Sequence, residues 1–208
     1  MDFLNAFILI SNFIIVPAIT YGSQLALGAI GVTLIYGVLR FANFAYGDLM
    51  AFGTMIVILF TWYLQSKGIT FGLLPTAILA IPIGIIFTIA ISLFFDKTVF
   101  EYYREKKSNP VTFIVVSLGI MFVLNAVVRI IIGPNDINFM DGHKFIMKAR
   151  EFKQLTGLDE GLAIKSTQVI TLITTIITCS LLFYFLNNTK TGKSMRAYSN
   201  NEGLALLS

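Results

Sequence analysis

The chain has 208 residues, of which 56% are apolar and 12% are charged, and its formal net charge is +4. Charged residues make up about a quarter of an ordinary soluble domain, whereas six long apolar stretches of this chain contain a single charged residue, Arg129. This distribution excludes a water-soluble enzyme, a nucleic-acid binder and a secreted disulfide scaffold, and it indicates a polytopic membrane protein.

With one short exception, the apolar stretches are as long as membrane-spanning helices. A hydrocarbon layer about 30 Å thick requires roughly 20 helical residues, and a helix satisfies its own backbone hydrogen bonds in lipid. None of the stretches alternates in polarity, as the strands of a membrane barrel do. We therefore predict an all-α, polytopic transmembrane helix bundle of about six spans. The stretches are residues 3–20, 22–39, 49–64, 72–95, 111–132 and 167–186.

Residues 41–48 form an unusual connection between the second and third stretches. The third stretch is too short to span unless it recruits this segment, and Asp48 would then lie about a third of the way into the span. An unpaired acid at such a depth costs on the order of 2.5–3.5 kcal/mol. The segment is either an ordinary cytoplasmic turn or non-helical backbone packed inside the protein at membrane depth. Asn43 and Gly47 favour the second alternative, because interrupted helices mark transport sites.

Small and polar residues recur on single faces of the fourth and fifth stretches. Membrane helices associate through close packing of small residues and through polar contacts, so we expect these faces to be buried against other helices rather than to line a pore. Arg129 lies near the outer end of its stretch, where snorkelling to the interface is favoured over a role at the bilayer centre. The fourth stretch carries Thr76, Ala80, Gly84, Thr88 and Ser92, and the fifth carries Ser117, Asn125 and Arg129.

The loops predict an orientation, although the charge difference between the two sides is small. Cytoplasmic loops are enriched in Lys and Arg, and such residues are concentrated in residues 96–110 and after residue 186. With both segments in the cytoplasm and six spans, the N-terminus is expected in the cytoplasm as well. Residues 133–166 then form an outer loop, whose apolar residues predict an ordered cap with a short strand or an amphipathic helix.

Residues that could support catalysis or metal binding are scarce. His143 is the single histidine and Cys179 the single cysteine, whereas a metal site needs three or four ligands. We therefore expect no catalytic residues, no metal and no cofactor. The Gly192-Lys193-Ser194 run looks like the end of a nucleotide-binding loop, but Asn187 stands where that loop requires a glycine, so no ATP site is expected in this chain.

Two segments resemble the permease family of branched-chain amino-acid ABC importers. The resemblance covers nearly the whole chain and is most specific in residues 22–54, where Tyr46 stands at the family's usual histidine. The second segment, residues 189–208, resembles the family's cytoplasmic Thr-x-x-Gly-x-x-Met-Arg-Ala segment. The matching residues are Tyr36, Gly37, Asn43, Phe44, Ala45, Gly47, Asp48 and Gly53 in the first segment, and Thr189, Gly192, Met195, Arg196, Ala197, Asn200 and Glu202 in the second.

The resemblance implies a single transmembrane permease domain over residues 1–208 in a bacterial-type inner membrane. It implies a second permease subunit, two cytoplasmic ATPase subunits and a soluble substrate-binding protein at the outer loop. Residues 187–208 would form the ATPase-coupling segment, with Thr191 as a helix cap. Permeases of this family continue through further spans, so the chain is expected to be C-terminally truncated. The expected site residues are Asn43, Tyr46 and Asp48 in the translocation path, and Gly192, Met195, Arg196 and Glu202 at the ATPase contact.

Alternatives to import of branched-chain amino acids remain at this point. The same family also implies urea or short amides as substrates. An ion-gradient-driven secondary transporter would use Asp48 as its coupling carboxylate, and a membrane scaffold would transport nothing. For the basic segment after residue 186, contact with anionic lipid is the alternative to an ATPase contact.

Overall fold

The computed structural model describes residues 2–70, 74–135, 139 and 145–200 of the chain. The described residues divide into two compact units, one formed by Met1–Val38 with Gly142–Ser208 and the other by Leu39–Asp141. Within the described residues, five helices are long and apolar enough to cross a membrane. The predicted all-α polytopic bundle is therefore confirmed, with one span fewer than the six apolar stretches suggest.

The difference arises in helix α1, which joins the first two stretches. Its α-helical parts, Asp2–Ile10 and Val16–Leu39, are connected by a π-helical turn at Ser11–Ile15. The widened turn ends two residues before Pro17, a residue that has no backbone N–H and crowds the preceding turn of a helix. The apolar helix Phe3–Leu39 has 37 residues, a length of about 55 Å. A continuous helix cannot reverse direction, so α1 provides one candidate span instead of two.

The rest of the first unit contains a small cap and the last two helices. Strands β1 (Phe145–Met147) and β2 (Ile164–Lys165) pair antiparallel, and helix α5 (Ala149–Thr156) lies between them in the chain. Thus the expected ordered cap contains both a strand pair and a short helix, while His143 lies outside the described residues. Helix α6 (Ser166–Asn188) then leads into helix α7 (Lys190–Asn200).

The second unit contains three long helices. They are α2 (Tyr46–Ser66), α3 (Ala77–Phe95) and α4 (Pro110–Ile132), and α3 continues through a π-helical turn at Asp96–Phe100 into Glu101–Glu105. Pro110 begins α4 at a position where the missing N–H costs no hydrogen bond.

Helices α2 and α3 approach closely through two glycines. A Cβ atom at Gly84 would lie 3.1 Å from the carbonyl oxygen of Gly53 and would collide with Val57, and a Cβ atom at Gly53 would collide with Thr88. Thr76, Ala80 and Gly84 are buried, as predicted for the small-residue face. Ser92, the last member of that face, is exposed, so the expected burial is wrong there.

The polar face of the fifth stretch is buried only in part. Ser117 is fully buried, as predicted, whereas Asn125 and Arg129 are exposed, so the expected burial is wrong for these two residues.

An aromatic cluster anchors the segment that precedes α2. The ring of Phe41 stacks on Phe113 with centroids 5.1 Å apart and lies 5.8 Å from the ring of Phe100. Phe41 and Phe100 are buried in the core of the unit together with Ile120 and Leu124. This packing holds the segment that precedes α2 against α4.

Candidate translocation site and coupling segment

The helix break between α1 and α2 comprises residues 40–45. Arg40 adopts a positive φ of 59°, a conformation that ends a right-handed helix. The side-chain oxygen of Asn43 accepts a hydrogen bond from the Ala45 N–H at 3.1 Å, and its carbonyl accepts one from the Tyr46 N–H at 3.4 Å. Asn43 thus organises the turn from which α2 begins.

The broken backbone is satisfied by α4. The Phe44 N–H donates to the hydroxyl oxygen of Ser117 at 3.1 Å, and that hydroxyl donates to the carbonyl of Ile114 at 2.8 Å. Ser117 is fully buried, and it lies about 10 Å along α4 from Pro110. Residues 40–45 are therefore non-helical backbone packed beside the interior of a long apolar helix, as in the second of the two alternatives given above. The expectation is wrong for residues 46–48, which already belong to α2.

Asp48 is paired with polar groups of α4. The side-chain amide of Asn125 donates to Asp48 Oδ1 at 3.0 Å, and Arg129 Nε donates to the amide oxygen of Asn125 at 2.9 Å. Asn125 lies about 22 Å along α4 from Pro110. Because Asn125 donates a hydrogen bond to Asp48, Asp48 is not an unpaired acid and the predicted cost does not apply. Among the described residues, the side chains of Asn43 and Tyr46 make no hydrogen bond to Asp48.

Sequence reasoning grouped Asn125 and Arg129 on one helix face but did not connect them to Asp48. Asn125 and Asp48 are 77 positions apart in the chain, and a pairing over such a separation leaves no periodic signal in a single sequence. The spacing of four between Asn125 and Arg129 was the available clue, because side chains at that spacing meet on a helix.

A groove lies between α2 and α3 and has a volume of about 450 Å³. Its two hydroxyl groups are already engaged, since Thr54 donates to the Met50 carbonyl at 2.9 Å and Thr88 donates to the Gly84 carbonyl at 2.8 Å. With these groups engaged, the groove is apolar and offers little to a charged or polar ligand. It is lined by Met50, Gly53, Thr54, Val57, Ile81, Gly84, Ile85, Thr88 and Ile89.

The start of α7 is capped by Thr189 rather than by Thr191. The Thr189 hydroxyl oxygen accepts a hydrogen bond from the Gly192 N–H at 3.0 Å. Thr189 has the extended backbone, with φ −90° and ψ 151°, that a residue preceding a helix requires. The expected cap at Thr191 is therefore wrong by two positions, because α6 ends at Asn188 and α7 begins at Lys190.

The predicted coupling residues have different surroundings in α7. Gly192 is buried, and a Cβ atom there would lie 2.7 Å from Leu186 Cα and closer still to the Phe185 carbonyl oxygen. Met195 and Arg196 are exposed. Gly192 thus permits the turn between α6 and α7, whereas Met195 and Arg196 are accessible to another molecule. Glu202 lies outside the described residues.

Among the described residues, five long apolar helices define a polytopic membrane protein, and a row of acid, amide and guanidinium groups joins two of them. Residues 14–208 match the family described as branched-chain amino acid transport system, permease component. The chain belongs to this family, whose members are membrane components of transport systems rather than enzymes.

Individual relatives are more distant. The chain is 23% identical over 194 residues to the high-affinity branched-chain amino acid transport system permease protein LivH of Salmonella typhimurium, and equally to LivH of Escherichia coli strain K12. The aligned region covers 91% of this chain and 59% of each relative. No solved structure matches the chain.

Proposed function

We propose that the chain is a permease subunit of an ATP-driven ABC importer that translocates branched-chain amino acids delivered by a soluble binding protein. The observation that carries this proposal is the family match over residues 14–208. The broken helix beside α4, with the ionisable Asp48 inside the spanning unit, agrees with it, because intramembrane ionisable residues mark substrate pathways.

The proposed complex contains a second permease subunit, two cytoplasmic ATPase subunits and the binding protein at the cap. Met195 is 40% exposed, and the neighbouring Lys193 and Arg196 are exposed as well. A short helix that presents an apolar side chain between cations fits a groove on a partner protein. ATP binding by the partners would shift the bundle between inward-open and outward-open packings.

The proposed location is the inner membrane of a bacterial cell, with α7 in the cytoplasm and the cap outside. The N-terminus was expected in the cytoplasm on the assumption of six crossings. Because α1 is one continuous helix, we propose instead that the N-terminus lies on the outer side. Two contacts support this change: Asn12 bonds to Gly161 in the cap, whereas Gly37 lies beside Ser199 of α7.

The test is uptake of radiolabelled leucine by cells that express the complete transport system with or without this chain. We expect uptake to require the chain and the ATPase subunits. Arg196→Glu should reduce uptake at least tenfold, because it reverses the charge at the ATPase contact, whereas Lys67→Glu, at the end of α2, should leave uptake unchanged. Uptake that persists without the ATPase subunits and disappears with the proton or sodium gradient would instead establish a secondary transporter.

Urea and short amides remain the second substrate class that the family implies. Competition separates the two classes in the same cells. If an excess of unlabelled urea or acetamide abolishes leucine uptake while isoleucine and valine do not, the assignment to branched-chain amino acids is wrong.

A further inference from the structure

The row formed by Asp48, Asn125 and Arg129 holds two opposite charges apart. Hydrogen bonds of 3.0 and 2.9 Å join the three side chains in sequence, so one neutral amide separates the carboxylate from the guanidinium. The bonded oxygen of Asp48 and the Nε atom of Arg129 are at most about 8 Å apart, given the width of an amide group. Among the described residues, no ion pair joins these two charges directly.

Both charged groups retain unused hydrogen-bonding capacity. Within the part of the chain that the structure describes, Asp48 Oδ2 and the two terminal nitrogens of Arg129 have no hydrogen-bond partner. Asp48 is half-buried, and Asn125 and Arg129 are exposed. Charges at membrane depth face a water-filled cavity or another polar group rather than lipid, so the open side of this row is a position for a polar ligand.

We propose that Asp48 and Arg129 bind the head group of a zwitterionic α-amino acid. The free carboxylate oxygen of Asp48 accepts a hydrogen bond from the ligand's ammonium group, and the terminal nitrogens of Arg129 donate to its carboxylate. Asn125 is a positioning residue that keeps the two charges from neutralising each other. The proposal rests on the proposed function, since it assigns a subsite to the amino acid that the importer carries.

The dimensions of the row suit this ligand. An α-amino acid carries its ammonium and carboxylate groups on adjacent carbon atoms, and charge-assisted hydrogen bonds at each end measure about 2.8 Å. Such a head group with its two hydrogen bonds spans a distance similar to that between the Asp48 oxygen and the Arg129 guanidinium. Urea and short amides carry no net charge on either end, so they would leave both protein charges unpaired.

The experiment measures equilibrium binding of radiolabelled leucine to the purified full chain in lipid nanodiscs. Charge-assisted hydrogen bonds contribute strongly to binding, so Asp48→Asn and Arg129→Gln are each expected to weaken leucine binding by about tenfold or more. Arg129→Lys retains the charge and should recover part of the affinity. Asp96→Asn and Arg104→Gln are matched controls that remove the same groups from the ion pair in α3, which has an N–O distance of 2.8 Å, and they should bind leucine as the unsubstituted chain does.

Two leucine analogues distinguish ligand contact from a purely structural role. 4-Methyl-2-oxopentanoate lacks the ammonium group, and isopentylamine lacks the carboxylate. Asp48→Asn should weaken binding of isopentylamine but not of the oxo acid, and Arg129→Gln should have the opposite selectivity. The proposal is overturned if each variant weakens both analogues equally, if neither variant alters leucine binding, or if the unsubstituted chain binds no leucine.

These results remain separate from those of the uptake experiment. Cells whose leucine uptake requires the chain, combined with variants that bind leucine normally, would overturn the subsite and leave the importer assignment intact. Leucine uptake that does not depend on the chain would overturn the importer assignment itself.

Discussion

Ser117 of α4 provides a hydrogen-bond acceptor for the backbone of the helix break. Its hydroxyl oxygen accepts from the Phe44 N–H in a fully buried position. Ser117→Ala would leave that N–H without its partner, which costs about 1–3 kcal/mol. We expect the melting temperature of the purified chain in detergent to fall by several degrees.

Ser66→Ala is the matched control for this prediction. The Ser66 hydroxyl is exposed and donates to the Tyr63 carbonyl of its own helix, so its removal should change the melting temperature by less than a degree or two. Equal melting temperatures for the Ser117 and Ser66 variants would contradict the importance of the Ser117 contact.

Gly192 provides a second prediction at the scale of one residue. A Cβ atom there would overlap the Phe185 carbonyl and approach Leu186 Cα, so Gly192→Ala should displace α7 from the end of α6. Faster proteolysis after Lys190 or Lys193 in purified protein would reveal the displacement. Gly28→Ala is the control, because nothing lies within 4 Å of a Cβ atom at Gly28, and it should leave the cleavage rate unchanged.

The candidate site could be predicted only in part from the residues themselves. Asp48 was identified because an acid inside a span needs compensation, but its partner Asn125 belongs to a helix 77 positions away. Thr189 and Thr191 have the same side-chain chemistry, so only the backbone conformation identifies Thr189 as the cap of α7. The roles of Asn43, Tyr46, Asp48, Met195 and Arg196 in transport stay predictions.

At the scale of helices, the break before α2 was visible in the sequence and the continuity of α1 was not. Polar residues and a short following stretch indicated the break at residues 41–48. Tyr21 alone separates the first two stretches, and Gly22 begins the second. This pair contains neither proline nor charge. Glycine is tolerated in an apolar membrane helix, so this pair did not mark a turn, and α1 continues through it.

The contact between α2 and α3 depends on the absence of a side chain at Gly84. Gly84→Leu would force a side chain toward Val57 and the Gly53 carbonyl, and overpacking of this kind costs about 1–3 kcal/mol. We expect a lower melting temperature and a smaller yield of monodisperse protein after detergent extraction.

Gly119→Leu tests whether that effect is local to the contact. Gly119 lies in α4, and nothing lies within 4 Å of a Cβ atom at this position. It should therefore tolerate the substitution. If both leucine variants behave like the unsubstituted chain, close packing through Gly84 does not stabilise the α2–α3 pair.

For the whole molecule, the apolar surface agrees with a bilayer environment. In the apolar window of α6 no residue is buried within the chain, and large apolar side chains such as Ile176 and Leu181 are more than 60% exposed. Such a surface requires lipid or another membrane subunit to cover it. Composition and charge placement were sufficient to predict this property, because they do not depend on which helices touch.

The proposed orientation can be tested with single cysteines. In a Cys179→Ser background, Phe3→Cys and Lys193→Cys would report the two ends of the first unit. A membrane-impermeant maleimide added to intact spheroplasts should label position 3, and it should label position 193 only after permeabilisation. The described part of the chain has five candidate spans between the two positions, so labelling of both positions, or of neither, in intact spheroplasts would contradict the proposed orientation and its odd number of crossings.

Asn12, in the π-helical turn of α1, makes two hydrogen bonds to the backbone of the cap. Its amide donates to the Gly161 carbonyl at 2.5 Å and accepts from the Ala163 N–H at 2.9 Å. At the opposite end of α1, a Cβ atom placed on Gly37 would lie 3.4 Å from the hydroxyl oxygen of Ser199. A displacement of the cap along this helix would therefore be transmitted through α1 to the residues that lie beside α7.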